Sequence, residues 1–131
     1  MEVSKRVLLV EDNEINAEIA KQQLLDMGFQ VDWVSNGARA VEVFGDSEPD
    51  YYGLVIMDLM MPVMDGIEAT KIIRHLGRDD AATVPIIAIT ANSYSEDEET
   101  SVSSGITRFM TKPYNRTTLY DTIKGLSETE A

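Results

Sequence analysis

Cysteine is absent from the 131 residues, which excludes a disulfide scaffold and a thiolate metal site and agrees with a reducing, cytoplasmic setting. Histidine occurs once, as His75, so a zinc centre built on imidazoles is not expected. Basic residues are scarce: 11 Lys and Arg stand against 23 Asp and Glu, for a formal net charge of −12. Such a surface repels phosphate backbones, and direct binding to DNA or RNA is not expected. No apolar run approaches the ~20 residues of a membrane-spanning helix, and no basic-then-apolar leader opens the chain, so membrane insertion is not expected either. Internal repeats, low-complexity tracts and linkers are also missing. What is present suits one globular domain with a real core: 44% hydrophobic and 26% charged residues, with ordered structure expected from about residue 6 to about residue 126.

Apolar runs and amphipathic stretches alternate along the chain. Val7 to Val10, Leu54 to Met57 and Ile86 to Ile89 are continuously apolar, as strands covered by helices on both faces are. Gln30 to Val34 alternates and Thr107 to Met110 is mixed, which suits sheet edges. With strands numbered one to five in chain order, right-handed crossovers leave 2-1-3-4-5 as the natural parallel order. Helices fill the gaps. Ala17, Ala20, Leu24 and Met27 share a face that stops at Gly28. Ala40, Val41 and Phe44 form a shorter stripe. Ala69, Ile72, Ile73 and Leu76 form another, and Leu119, Ile123 and Leu126 follow a cap at Asn115. A fourth helix over Ser93 to Ser104 has capping boxes but almost no apolar face, so it is expected to be poorly anchored.

The acidic residues fall at chosen places. Glu11-Asp12 follows strand one and Asp58 follows strand three. In the predicted order these strands are neighbours beside the switch point where open α/β sheets bind ligands. Three carboxylates would meet there, and like charges that close repel unless a cation joins them. Carboxylates, a backbone carbonyl and waters are hard oxygen ligands that suit Mg²⁺. Asp12 or Asn13 could instead cap the first helix, and Asp58 could be a turn residue before Met61-Pro62 and Asp65-Gly66. Thr90 closes strand four and Lys112 closes strand five. A hydroxyl and an ammonium facing a carboxylate cluster look like ligands for phosphoryl oxygens; a helix cap and a solvated surface lysine are the plainer readings. His75, late in the third helix, reads as a surface residue, and Trp33, on the outer strand, reads as a poor reporter of metal binding.

Four motifs stand in order at these strand ends: Val10-Glu11-Asp12-Asn13-Glu14-Ile15-Asn16, Met57-Asp58-Leu59-Met60-Met61-Pro62-Val63-Met64-Asp65-Gly66, Ile89-Thr90-Ala91 and Lys112-Pro113. Together they resemble the receiver domains of bacterial two-component systems, most of all receivers fused to hybrid sensor histidine kinases. The resemblance runs from about Arg6 to Leu126. It implies a flavodoxin-like three-layer α/β sandwich, a five-stranded parallel sheet and five helices. It further implies that Asp58 is the phosphoacceptor, with Asp12, Asp58 and the Met60 carbonyl on Mg²⁺ and Glu11 acting through metal-bound water. Lys112 and Thr90 would hold phosphoryl oxygens, Phe109 would be the switch aromatic, and the Lys112-Pro113 bond would be cis. Met60 and Asn92 would flank the path of the attacking water. Met60 offers no hydrogen bond, so slow-to-moderate hydrolysis governed by Asn92 is expected. The partners implied are a histidine kinase or a histidine phosphotransfer domain. In similar domains the face made by the fourth helix, strand five and the last helix is a common dimer face.

A phosphoryl group at Asp58 would draw Thr90 toward it and let Phe109 rotate inward, changing that same face; Phe109 could equally be a fixed core residue. Moving a population from 1:99 to 99:1 takes about 5.5 kcal/mol, most of which a few charge-assisted hydrogen bonds could supply. The resemblance therefore implies no conventional enzyme, only a domain that catalyses its own phosphorylation and dephosphorylation, either alone or as the cytoplasmic part of a membrane-bound hybrid kinase. A pseudo-receiver, an interaction module that is never phosphorylated, is the competing class; the complete set of acidic, hydroxyl and lysine residues opposes it. Aspartyl-phosphate hydrolases usually carry a second aspartate where Met60 stands, and Glu11-Asp12 would repel a flavin phosphate. With five residues after Leu126, a fused DNA-binding domain is not expected.

Overall fold

The computed structural model describes residues 5–59, 64, 66–90, 105–111 and 115–130. Five parallel strands, β1 (Arg6–Val10), β2 (Gln30–Val34), β3 (Leu54–Asp58), β4 (Ile86–Thr90) and β5 (Arg108–Thr111), form one sheet in the order β2-β1-β3-β4-β5. Every residue of β3 and β4 is buried, as their unbroken apolar runs require, while β2 and β5 are partly exposed edges. Successive side chains point to opposite faces, so each strand feeds two cores. Leu8, Val10, Val55, Met57, Ile86 and Ala88 pack against α2 (Gly37–Asp46), α3 (Gly66–Arg74) and a short α4 (Asp79–Thr83). Val7, Leu9, Ile56, Ile87 and Ile89 pack against α1 (Glu14–Asp26) and α5 (Arg116–Glu130). The result is the expected three-layer sandwich, with five helices among the described residues. None of these is long and apolar enough to cross a membrane.

Local chemistry explains the element ends. Asn13, Asn36 and Asn115 each accept a backbone N–H three residues on, at 2.9 Å, and so start α1, α2 and α5. Gly28 ends α1 at φ +95°, a conformation that costs glycine little.

Three expectations need correction. Strand five starts one residue late and runs through Thr111. The buried face of α3 is Gly66, Ala69, Thr70 and Ile73, and Ile72 is exposed. At about 100° per residue, Ile72 lies well off the centre of that face. Thr70 tolerates burial because its hydroxyl donates to the Gly66 carbonyl at 2.7 Å. Helix α4 was not anticipated. Five residues with no apolar stripe carry almost no periodicity, and the helix is held instead by Arg78. That guanidinium donates to the carbonyls of Phe44 (3.1 Å), Ser47 (2.9 Å) and Glu48 (3.2 Å) at the end of α2, and pairs doubly with Asp80 at 3.0 and 2.8 Å. The helix expected over Ser93 to Ser104 lies outside the described residues.

Candidate functional site

Strand β1 pairs with β3 so that Val10 stands opposite Met57. The next residues on each strand, Glu11 and Asp58, therefore emerge side by side at the carboxyl edge of the sheet. Both are nearly inaccessible, Glu11 at 4% and Asp58 at 1%, while Asp12 is exposed. One carboxylate oxygen from each of Glu11, Asp12 and Asp58 lies within 4.8 Å of the others. Asp58 is the last residue of β3 rather than the residue after it, with Ile89 of β4 as its register partner.

The helix cap is Asn13, not Asp12. The Asp12 carboxylate is thereby left to the cluster. Glu11 is fixed at three points: its N–H donates to the Val34 carbonyl at 3.1 Å, its carboxylate accepts the Asn13 N–H at 3.2 Å, and its carbonyl accepts the Trp33 indole N–H at 2.8 Å. Trp33 lies on the edge strand, as expected, yet its indole reaches the peptide beside the acidic cluster. The side chain spans from β2 to the peptide that carries Glu11 into Asp12. Register alone could not reveal this, because it places Trp33 opposite Leu9 and leaves the reach of a large ring unspecified.

Behind the phosphoacceptor candidate, Gly66 opens α3 against the β3 end. Its N–H donates to the Leu59 carbonyl at 3.2 Å. A Cβ built there would sit 2.6 Å from the Asp58 carbonyl oxygen and 2.8 Å from the Met57 side chain. In the sequence Asp65-Gly66 signals a turn; in the fold, the glycine is needed for close approach.

Thr90 ends β4, mostly buried at 8% exposure, with Thr111 of β5 as its register partner. Phe109 is half-buried against the core on the Ala88 side of the sheet. Lys112 follows Thr111 in the chain; Lys112, Pro113, Met60 and Asn92 lie outside the described residues. His75 is exposed at the end of α3, as expected, and its Nδ1–H donates to the Lys71 carbonyl at 2.7 Å.

The donor set fits a hard divalent cation. All three side-chain ligands are carboxylates, two are buried, and no histidine or cysteine joins them among the described residues. Oxygen-only donors favour Mg²⁺ over zinc.

A family model for the response regulator receiver domain matches residues 7–124. The chain is 33% identical over 123 residues to hybrid signal transduction histidine kinase I of Dictyostelium discoideum, covering 92% of this chain and 7% of that protein. It is 42% identical over 113 residues to two-component system protein A of Emericella nidulans, covering 86% of this chain and 16% of the other. The chain thus spans only a small part of these relatives. Among solved structures, the receiver domain of a sensor histidine kinase from Pseudomonas aeruginosa PAO1, with a magnesium ion coordinated in its active site cleft, superposes with a TM-score of 0.79 at 34% identity, covering 90% of this chain and 93% of that one. A chemotaxis response regulator of Vibrio cholerae gives a TM-score of 0.83 at 26% identity, covering 92% and 97%.

Proposed function

The chain belongs to the response regulator receiver domain family, and from that premise we propose that all 131 residues form one receiver that accepts a phosphoryl group on Asp58 from a histidine kinase or a histidine phosphotransfer domain. The observation that carries this reading is the meeting of Glu11, Asp12 and Asp58 within 4.8 Å at the ends of adjacent strands. An Asp58 carboxylate oxygen attacks the phosphorus of a phosphohistidine. The P–N bond breaks, the imidazole leaves with the electron pair and takes up a proton, and an acyl phosphate remains.

Catalysis of such a transfer rests on positioning and on offsetting charge. Asp12, Asp58 and the Met60 carbonyl would hold Mg²⁺, with Glu11 acting through its water shell. The ion, when bound, would offset negative charge on the phosphoryl oxygens. The Thr90 hydroxyl donates a hydrogen bond to one of these oxygens and the Lys112 ammonium pairs with another. Thr90 is supported in this role by its position, since it ends the strand next to the one that carries Asp58. Its movement toward the new group frees space for Phe109, whose half-buried ring suits an aromatic with two positions. The face changed by that movement, which includes β5 and α5, is the output and homodimer surface of this reading. Asn92, with little help from Met60, orients the water that later removes the group. The setting is the cytoplasm, with no nucleic acid contacted directly.

The test is transfer from a histidine-phosphorylated phosphotransfer domain. Wild type should gain the mass of one phosphoryl group in the presence of Mg²⁺, and Asp58→Asn should gain none. If wild type gains none from this donor or from a small acyl phosphate, the chain is an interaction module instead.

A further inference from the structure

We propose that Trp33 is a positioning residue for the divalent-ion site: its indole N–H orients the peptide joining Glu11 to Asp12, and its emission reports arrival of the ion. The inference rests on the reading of Glu11, Asp12 and Asp58 as the Mg²⁺ site. Only Glu11, Asp12 and Asn13 separate the end of β1 from the start of α1, so the direction of two acidic side chains is decided within one short reversal. A peptide group is planar and includes the Cα atoms on both of its sides. The oxygen that accepts the Trp33 N–H at 2.8 Å belongs to the plane linking Glu11 Cα to Asp12 Cα. Fixing that plane fixes the two Cα atoms from which both acidic side chains depart.

Two other contacts of Glu11 have backbone N–H donors that survive a change of side chain at any position except to proline. Trp33 is an anchor that side-chain chemistry controls. An indole is a donor only, so it can serve a carbonyl here and cannot compete with the carboxylates for the ion. Asp12 gains most from such an anchor, because it is the exposed member of the cluster. Trp33 is also the chain's only tryptophan, so any change in tryptophan emission arises at this residue. Neutralising the carboxylates alters the field along the indole and the strength of its hydrogen bond.

The 131-residue chain is titrated with Mg²⁺ by calorimetry, as wild type and as Trp33→Phe, which keeps a ring and removes the N–H. Wild-type tryptophan emission is followed in parallel, and urea midpoints are measured for both proteins. The Mg²⁺ Kd should rise roughly two- to tenfold in Trp33→Phe, the range of one hydrogen bond's net contribution. Wild-type emission should change saturably with a midpoint equal to the calorimetric Kd. An unchanged Kd in Trp33→Phe overturns the positioning role, whatever happens to the urea midpoint. Should that variant fail to fold, the wild-type emission decides: a saturable change supports the inference and a flat response overturns it. Absence of Mg²⁺ binding by wild type would overturn the site reading itself, and this inference with it.

Discussion

Gly66 shows how closely a single position controls the reactive end of β3. A methyl group there would overlap the Asp58 carbonyl oxygen at 2.6 Å, and backbone cannot yield as a flexible side chain can. Gly66→Ala should therefore cost about 1–3 kcal/mol in urea unfolding and slow phosphorylation of Asp58 by a small acyl phosphate, because relief requires moving the strand end. Asp80 gives a pH signature at a distance from the site. The Arg78 guanidinium hydrogen-bonded to it, helped by the Asp50 N–H at 3.0 Å, holds its carboxyl below the ordinary aspartate range despite burial. A depressed folded value means that this stabilisation is present above the ordinary carboxylate range and is lost as pH falls through the depressed one. Urea midpoints measured across the acid range should drop there. Asp80→Asn should flatten that part of the profile and cost about 1–3 kcal/mol at neutral pH, as loss of hydrogen bonds to a charged group does.

Helix α1 carries apolar residues on two sides. Ala17, Ala20 and Leu24 are buried against the sheet, while Ile15 and Ile19, one turn apart, are 72% and 54% exposed. Ile15 lies in the first turn of the helix, three residues after Asp12, and Ile19 one turn further on. On the reading proposed above, a protein donor docks over this pair, whereas a small acyl phosphate does not need it. Ile15→Ala should slow transfer from a histidine-phosphorylated protein about tenfold, the scale of one interface anchor, and leave phosphorylation by a small donor unchanged; equal slowing with both donors would refute a docking role. The buried stripe was readable because Ala17, Ala20 and Leu24 repeat at the helical period. The sheet was readable because buried parallel strands are apolar throughout and edges are not. Helix α4 was not, since its anchor, Arg78, bonds mainly to carbonyls 30 or more residues away in sequence, and no local pattern encodes a partner at that distance.

For the molecule as a whole, strand order turns positions in sequence into a site. Glu11-Asp12 and Asp58 lie more than 45 residues apart and meet because β1 and β3 are neighbours. The meeting of the acidic trio, and the place of Thr90 at the end of β4, were therefore legible once the strand order was. The Trp33 contact and the steric demand at Gly66 were not, because both depend on distances of a few ångströms that pattern cannot supply. The most direct measurement locates the phosphoryl group. The chain is phosphorylated by a small acyl phosphate, trapped by reduction of the acyl phosphate, digested and mapped by mass. Label should appear on Asp58 alone and should disappear when a chelator removes divalent cations. Label on another residue, or labelling of Asp58 that is indifferent to chelation, would contradict a site in which three carboxylates gather around a metal ion to receive phosphate.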